Sequence, residues 1–195
     1  MLRFFSLSNT CFDSGWAIHP LSGSLLKFSP DKTPAFRAAN IPKSILKAYD
    51  FCVEPYKLNP TISQNDISIP TVDKKLDRIY KRLARLKGVN FYLAVLYASF
   101  QTPLYADSQA AIQAINRLFP DDPDPESCLQ RSLTVAKVSK SFYKDGVLFI
   151  GAQLPLKSMH AWIIEGKIQP DAADRQWINF FPLIAFKSRD DANLH

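Results

Sequence analysis

Phe119-Pro120-Asp121-Asp122-Pro123-Asp124-Pro125-Glu126-Ser127-Cys128-Leu129-Gln130-Arg131-Ser132-Leu133 is the stretch where the chain changes its organisation. Pro120, Pro123 and Pro125 each lack a backbone N–H and would clash with a preceding helical turn, so the opening residues are a loop. Ser127 and Gln130 then stand at capping-box spacing, with Ser127 as the N-cap and Gln130 as the residue that reaches back to it. Leu129, Leu133 and Ala136 mark one buried face of the helix that follows.

Upstream of this point the pattern is helical. Leu76, Ile79, Tyr80, Leu83 and Leu86 recur at three- and four-residue spacing. They predict a helical run from Asp73, as its cap, to Phe100, broken or bent at Gly88. A second helix is expected from about Ser108 to Leu118, with Ala111, Ile112, Ile115 and Leu118 as its apolar stripe. Downstream, Val147 to Leu154, Met159 to Glu165, Ile168 to Gln169 and Trp177 to Phe181 read as strands of an antiparallel meander. Helices followed by strands make an α+β chain, not the alternation of a doubly wound sheet. Residues 1–70 carry more turn residues. Short strands are expected within Phe12 to Pro20 and Gly23 to Phe28, a short helix over Ile41 to Tyr49, and a loop from Asn59 to Pro70.

Cys128 falls in the first turn of its predicted helix. There the N–H groups without intrahelical acceptors and the helix dipole favour a thiolate, the nucleophilic form of cysteine. The same N–H groups suit an oxyanion beside the sulfur. The competing reading is a small buried thiol that only packs.

Three histidines are present, and His195 is the last residue. His160 lies in Ser158-Met159-His160-Ala161-Trp162-Ile163-Ile164-Glu165. In a strand, His160, Trp162 and Ile164 share one face and Met159, Ala161 and Ile163 the other. An imidazole on so apolar a strand needs a partner for each nitrogen, and Cys128 is the candidate for one. The competing reading is a core histidine bonded to backbone.

Register points to the third member. If Gly166-Lys167 is a two-residue hairpin turn, Glu165 faces Ile168, Ile164 faces Gln169 and Trp162 faces Asp171. Asp171 then lies on the His160 side, one diagonal step away, and Asp174 has the opposite parity. The competing reading is a turn aspartate beside Pro170. Thiol, imidazole and carboxylate in this arrangement activate a nucleophile: the ring takes the thiol proton and the carboxylate orients the ring.

Composition narrows the class. At 195 residues and 47% hydrophobic, the chain suits one domain with a small appendage and a real core. Cys11, Cys52 and Cys128 are a poor disulfide framework and suit a reducing, cytoplasmic compartment. No Cys-x-x-Cys pair is present, and His160 and Asp171 have no second histidine at ligand spacing, so no metal is expected. The longest apolar run, Val89 to Phe100, is about 12 residues and contains Asn90, against the ~20 that a membrane span needs. It reads as a buried or interfacial helix. The net charge is +6: residues 1–100 hold 14 Lys/Arg and 7 Asp/Glu (+7), and residues 101–195 hold 10 and 11 (−1). Much of the basic excess crowds one helix: Lys74, Lys75, Arg78, Lys81, Arg82, Arg85 and Lys87. With no nucleic-acid-reading motif beside them, these residues read as a solvated face, with contact to a protein partner the next reading. No Gly-rich phosphate loop is present, so no nucleotide site is expected.

Cys128-Leu129-Gln130-Arg131-Ser132-Leu133, Gly146 to Gly151, His160-Ala161-Trp162-Ile163-Ile164-Glu165-Gly166 and Asp171 together resemble the lasso-peptide biosynthesis B proteins. These are microcin-processing leader peptidases of the transglutaminase-like cysteine protease family. The likeness spans roughly Leu118 to Phe186; over residues 1–100 it rests on length and organisation. It implies a transglutaminase- or papain-like core of helices on an antiparallel sheet over residues 71–195. Residues 1–70 are implied to be a small mixed recognition region that takes the precursor leader as an added strand. It further implies that Cys128, His160 and Asp171 form the catalytic triad. Cys128 attacks the carbonyl at the leader–core junction, His160 protonates the leaving amine, and water releases the leader. A partner cyclase then consumes ATP to close a macrolactam ring, and this chain itself carries no cofactor. Two other readings stay open: a peptide-binding module without chemistry, and acyl transfer to an amine in place of water.

Overall fold

A computed structural model describes residues 2–6, 16–18, 25–27, 44–45, 47–48, 70–120, 127–153, 158–166, 168–171, 174 and 176–188. In chain order these form β1 (Leu2–Ser6), β2 (Trp16–Ile18), β3 (Leu25–Lys27), α1 (Pro70–Val89), α2 (Phe91–Ser99), α3 (Ser108–Leu118), α4 (Ser127–Val138), α5 (Lys140–Asp145), β4 (Gly146–Gln153), β5 (Ser158–Glu165), a 3-10 turn (Gln176–Asn179) and β6 (Phe181–Ser188). The chain is therefore mixed α+β, as its periodicities predict. β2 and β3 pair within the expected N-terminal strand segments, and residues 44–45 and 47–48 are helical. The rest of those segments, Cys11, Cys52, His19, His195 and the loop expected over residues 59–69 lie outside the described residues.

The helices follow their apolar spacing, with corrections at their ends. Leu76, Ile79, Tyr80 and Leu83 are all buried along α1. The helix begins at Pro70, whose missing N–H costs nothing in a first turn. Asp73 is thus not a cap; it ion-pairs with Arg117 of α3 at 3.1 Å. The break before α2 falls at Asn90, not at Gly88. Asn90 leaves helical geometry (φ −159°) and its side chain accepts from Leu93 N, so it caps the new helix. α3 runs as predicted and is capped by Asp107, which accepts from Ala110 N at 2.7 Å.

The strands are antiparallel throughout the main sheet, in the order β1-β6-β4-β5. That order corrects the expected meander, because β6 pairs with β4 and not with β5, whose outer edge is bridged, among the described residues, by Ile168. The segment Trp177 to Phe181 is a 3-10 turn leading into a strand, not a strand. β6 itself was hidden in the sequence by Pro182. The proline is tolerated where the β4–β6 register shifts, beside Gly151.

The two faces of the sheet build two cores. Leu148, Ile150, Ala152, Ala161, Ile163, Ile184 and Phe186 pack with the helices. Val147, Phe149, Trp162, Ile164, Ala185 and Trp177 pack on the opposite face with Ile45 and Ala48. Phe149 is fully buried and stacked on Trp162, with ring centroids 5.7 Å apart. Phe149→Ala is expected to cost about 3–5 kcal/mol, read as a lower urea midpoint with the slope unchanged. No helix among the described residues is long and apolar enough to cross a membrane.

Candidate active site

Cys128 is the second residue of α4, so its backbone N–H is one of those without an intrahelical acceptor. Ser127 is already helical. Gln130, expected to reach back along its own helix, sends its amide N–H to Tyr80 O of α1 at 3.1 Å. That bond satisfies a buried donor and ties the head of α4 to α1. One turn past the cysteine, Ser132 Oγ donates to Ala161 O at 3.1 Å. Ala161 follows His160 in β5, so this bond joins the thiol-bearing helix to the imidazole-bearing strand.

The expected alternation along β5 is present. Ala161 and Ile163 belong to the helix-side core, Trp162 and Ile164 to the other. The His160 ring lies nearly parallel to Trp162 (centroids 6.0 Å, interplanar angle 15°) and against Phe180 (5.1 Å). A residue on that face still meets the head of α4 because β5 is the edge strand of the sheet. Cys128 and His160 line one cavity of about 270 Å³, and the thiol is close enough to help raise the ring's pKa.

The carboxylate on the ring is Asp174, not the expected Asp171. Asp174 Oδ2 lies 2.7 Å from His160 Nε2, with both side chains largely buried. This leaves Nδ1 as the ring nitrogen for the thiol. The expected hairpin is present: Glu165 and Ile168 exchange both backbone bonds, at 2.8 and 3.1 Å, around Gly166 at φ +61°. The ladder does not continue beyond that bridge. Pro170 has no N–H to donate, and the pairing ends at Ile168, so strand parity no longer applies to residue 171. The chain turns instead, with Asp174 N bonding Asp171 O at 3.1 Å. Trp177, buried beneath Trp162, anchors the segment that holds Asp174. Asp171 lines the same cavity, with its Oδ2 3.8 Å from the Arg131 guanidinium, which also bonds Asn116 Oδ1. The one local signal for Asp174 was its place between a ladder-breaking proline and the aromatic pair Trp177 and Phe180.

Burial alone would pull the His160 imidazole down. The hydrogen bonds to Asp174 and Cys128, together with their negative charges, outweigh it and push the pKa up from 6.5 to about 9. At neutral pH the ring therefore rests protonated. Among the described residues, no group of three or more His, Cys, Asp or Glu side chains is placed to hold a metal ion. A partly buried thiol, a charged imidazole and an orienting carboxylate opening on one cavity can form and resolve a thioester.

The chain matches no protein-family model, no curated protein and no solved structure.

Proposed function

We propose that this chain is a cysteine peptidase with a transglutaminase-like core and a Cys128–His160–Asp174 triad. The observation that carries the reading is the 2.7 Å bond from Asp174 to His160 in a cavity that Cys128 also lines. The sulfur attacks the substrate carbonyl and a C–S bond forms. The Cys128 N–H faces the developing oxyanion from the first turn of α4. His160 gives its proton to the leaving amine as the C–N bond breaks. Water then attacks the thioester, gives its hydroxyl to the acyl group and its proton to His160, and so frees the acid and returns the sulfur and the protonated ring to the state in which they began. Asp174 holds the ring in one orientation and stabilises its charged form.

The substrate class rests on the resemblance carried by Cys128-Leu129-Gln130-Arg131-Ser132 and His160-Ala161-Trp162. On that basis the bond cut is the leader–core junction of a lasso-peptide precursor in the cytoplasm. An ATP-dependent cyclase takes the freed core, and residues 1–70 bind the leader. Incubation of the purified chain with such a precursor, followed by mass spectrometry, tests this. The expected result is one cut, two fragments whose masses sum to the precursor plus water, and a thioester adduct on Cys128 after rapid acid quench. Acyl transfer would show instead as a fragment joined to an added amine.

A further inference from the structure

We propose that the outer surface of α1 and α2 docks on an anionic lipid surface and holds the chain there peripherally. α1 exposes Lys74, Lys75, Arg78, Lys81, Arg82 and Arg85. At 100° per residue these six fall within one third of the helix circumference, so they form a single basic face. From residue 70 to 104 the acids are Asp73 and Asp77, and both are engaged in ion pairs, with Arg117 and Lys81.

The adjoining helix supplies the apolar half. Phe91–Ser99 contains no charged residue, and a helix apolar on all sides is normally buried on all sides. Here Phe91, Ala94, Val95 and Ala98 face the core. On the other side Val89, Tyr92, Leu93 and Phe100 are 83%, 51%, 42% and 64% exposed. Tyr92 and Leu93 lie on α2 itself, while Val89 ends α1 before the break at Asn90 and Phe100 follows the last residue of α2, so the exposed apolar side chains run along that helix and its two ends. The two surfaces are continuous, because the Arg82 guanidinium lies over the Tyr97 ring, 4.7 Å from its centroid.

An occupant must therefore be negatively charged and accept inserted apolar side chains. A bilayer with anionic headgroups does both: cations meet the phosphates while aliphatic and aromatic side chains enter the headgroup–acyl boundary. Nucleic acid could stack bases on Tyr92 and Phe100 but gives the aliphatic Val89 and Leu93 no role. A second copy of the chain offers the basic face the acidic residues Asp121, Asp122, Asp124 and Glu126, but that proline-broken stretch gives the apolar side chains no apolar counterpart. A partner helix docks best in a groove, whereas these side chains project from the surface.

The test is co-sedimentation of the full chain with phosphatidylcholine vesicles, with and without phosphatidylglycerol. Binding is expected to require phosphatidylglycerol and to weaken as salt rises. It is expected to fall at least about tenfold in Arg78→Glu/Lys81→Glu/Arg85→Glu and again in Leu93→Ser/Phe100→Ser. These side chains are exposed, and circular dichroism verifies that each variant is folded. Failure to bind phosphatidylglycerol vesicles overturns the proposal. So does binding that survives Leu93→Ser/Phe100→Ser, which would make the contact purely electrostatic. Tighter binding of the same face to an acidic amphipathic peptide than to vesicles also overturns it, in favour of a protein partner. Cys128→Ala should bind vesicles like the unaltered chain, so this outcome is read separately from the peptidase assignment.

Discussion

Cys128→Ala is expected to abolish precursor cleavage, lowering kcat on the order of 10⁴–10⁶-fold, while leaving the protein folded. The size follows from removing the atom that forms the covalent bond; what survives of catalysis is binding and oxyanion stabilisation alone. The fold is expected to survive because Cys128 is only partly buried and packs at the edge of the helix-side core. The head of α4 is held by Gln130 and Ser132, whose partners are Tyr80 O and Ala161 O. A thermal midpoint within a few degrees of the unaltered chain checks the second half of the expectation. Undiminished cleavage by the alanine variant would falsify the enzymatic reading outright.

The second large effect separates two carboxylates that the sequence left confusable. Asp174→Asn is expected to lower kcat by roughly 10²–10⁴-fold, since an amide can hold the ring in the wrong tautomer and does not stabilise its charge. Asp171→Asn leaves the Asp174–His160 bond in place, so its effect should fall on KM, through its contact with Arg131 in the same cavity. Equal losses of kcat in the two variants would remove the special role of Asp174.

The pH profile adds a readout that a merely structural carboxylate would not move. The His160 pKa is raised to about 9, so the protonated ring that serves the leaving amine persists up to that region. The alkaline limb of kcat/KM should therefore lie near pH 9. Removing the Asp174 charge removes a raising influence, so in Asp174→Asn the limb moves toward lower pH. The sign for stability agrees. A histidine whose folded pKa lies above its unfolded 6.5 stabilises the fold fully below 6.5, and that contribution is lost as pH rises through about 9.

Much of this arrangement was legible in the chain, and the reasons are local. The prolines before Ser127 and the apolar spacing after it locate the helix that carries Cys128. The alternation of Ser158 to Glu165 gives the face of His160. Gly166 marks the hairpin turn, because a left-handed residue is needed there. Local signals failed where two elements competed for one group. Asp73 has the place of a cap and serves a distant arginine; Gln130 has the place of a capping-box residue and serves another helix. The single basic face of α1, by contrast, follows from spacing alone at 100° per residue, and burial adds that this face is exposed.

From its residues alone the chain determined an α+β class, the positions of the thiol and the imidazole, and the turn that follows the imidazole strand. Each depends on interactions within a few residues, which propensity and periodicity report. Tertiary structure alone decided that β6 joins β4 instead of β5, that the ladder stops at Ile168, and that Asp174 closes on the ring. Those outcomes turn on which buried surfaces pair across the whole sheet. The burial of Trp177 beneath Trp162 outweighs any strand parity carried past Pro170, and so chooses the carboxylate.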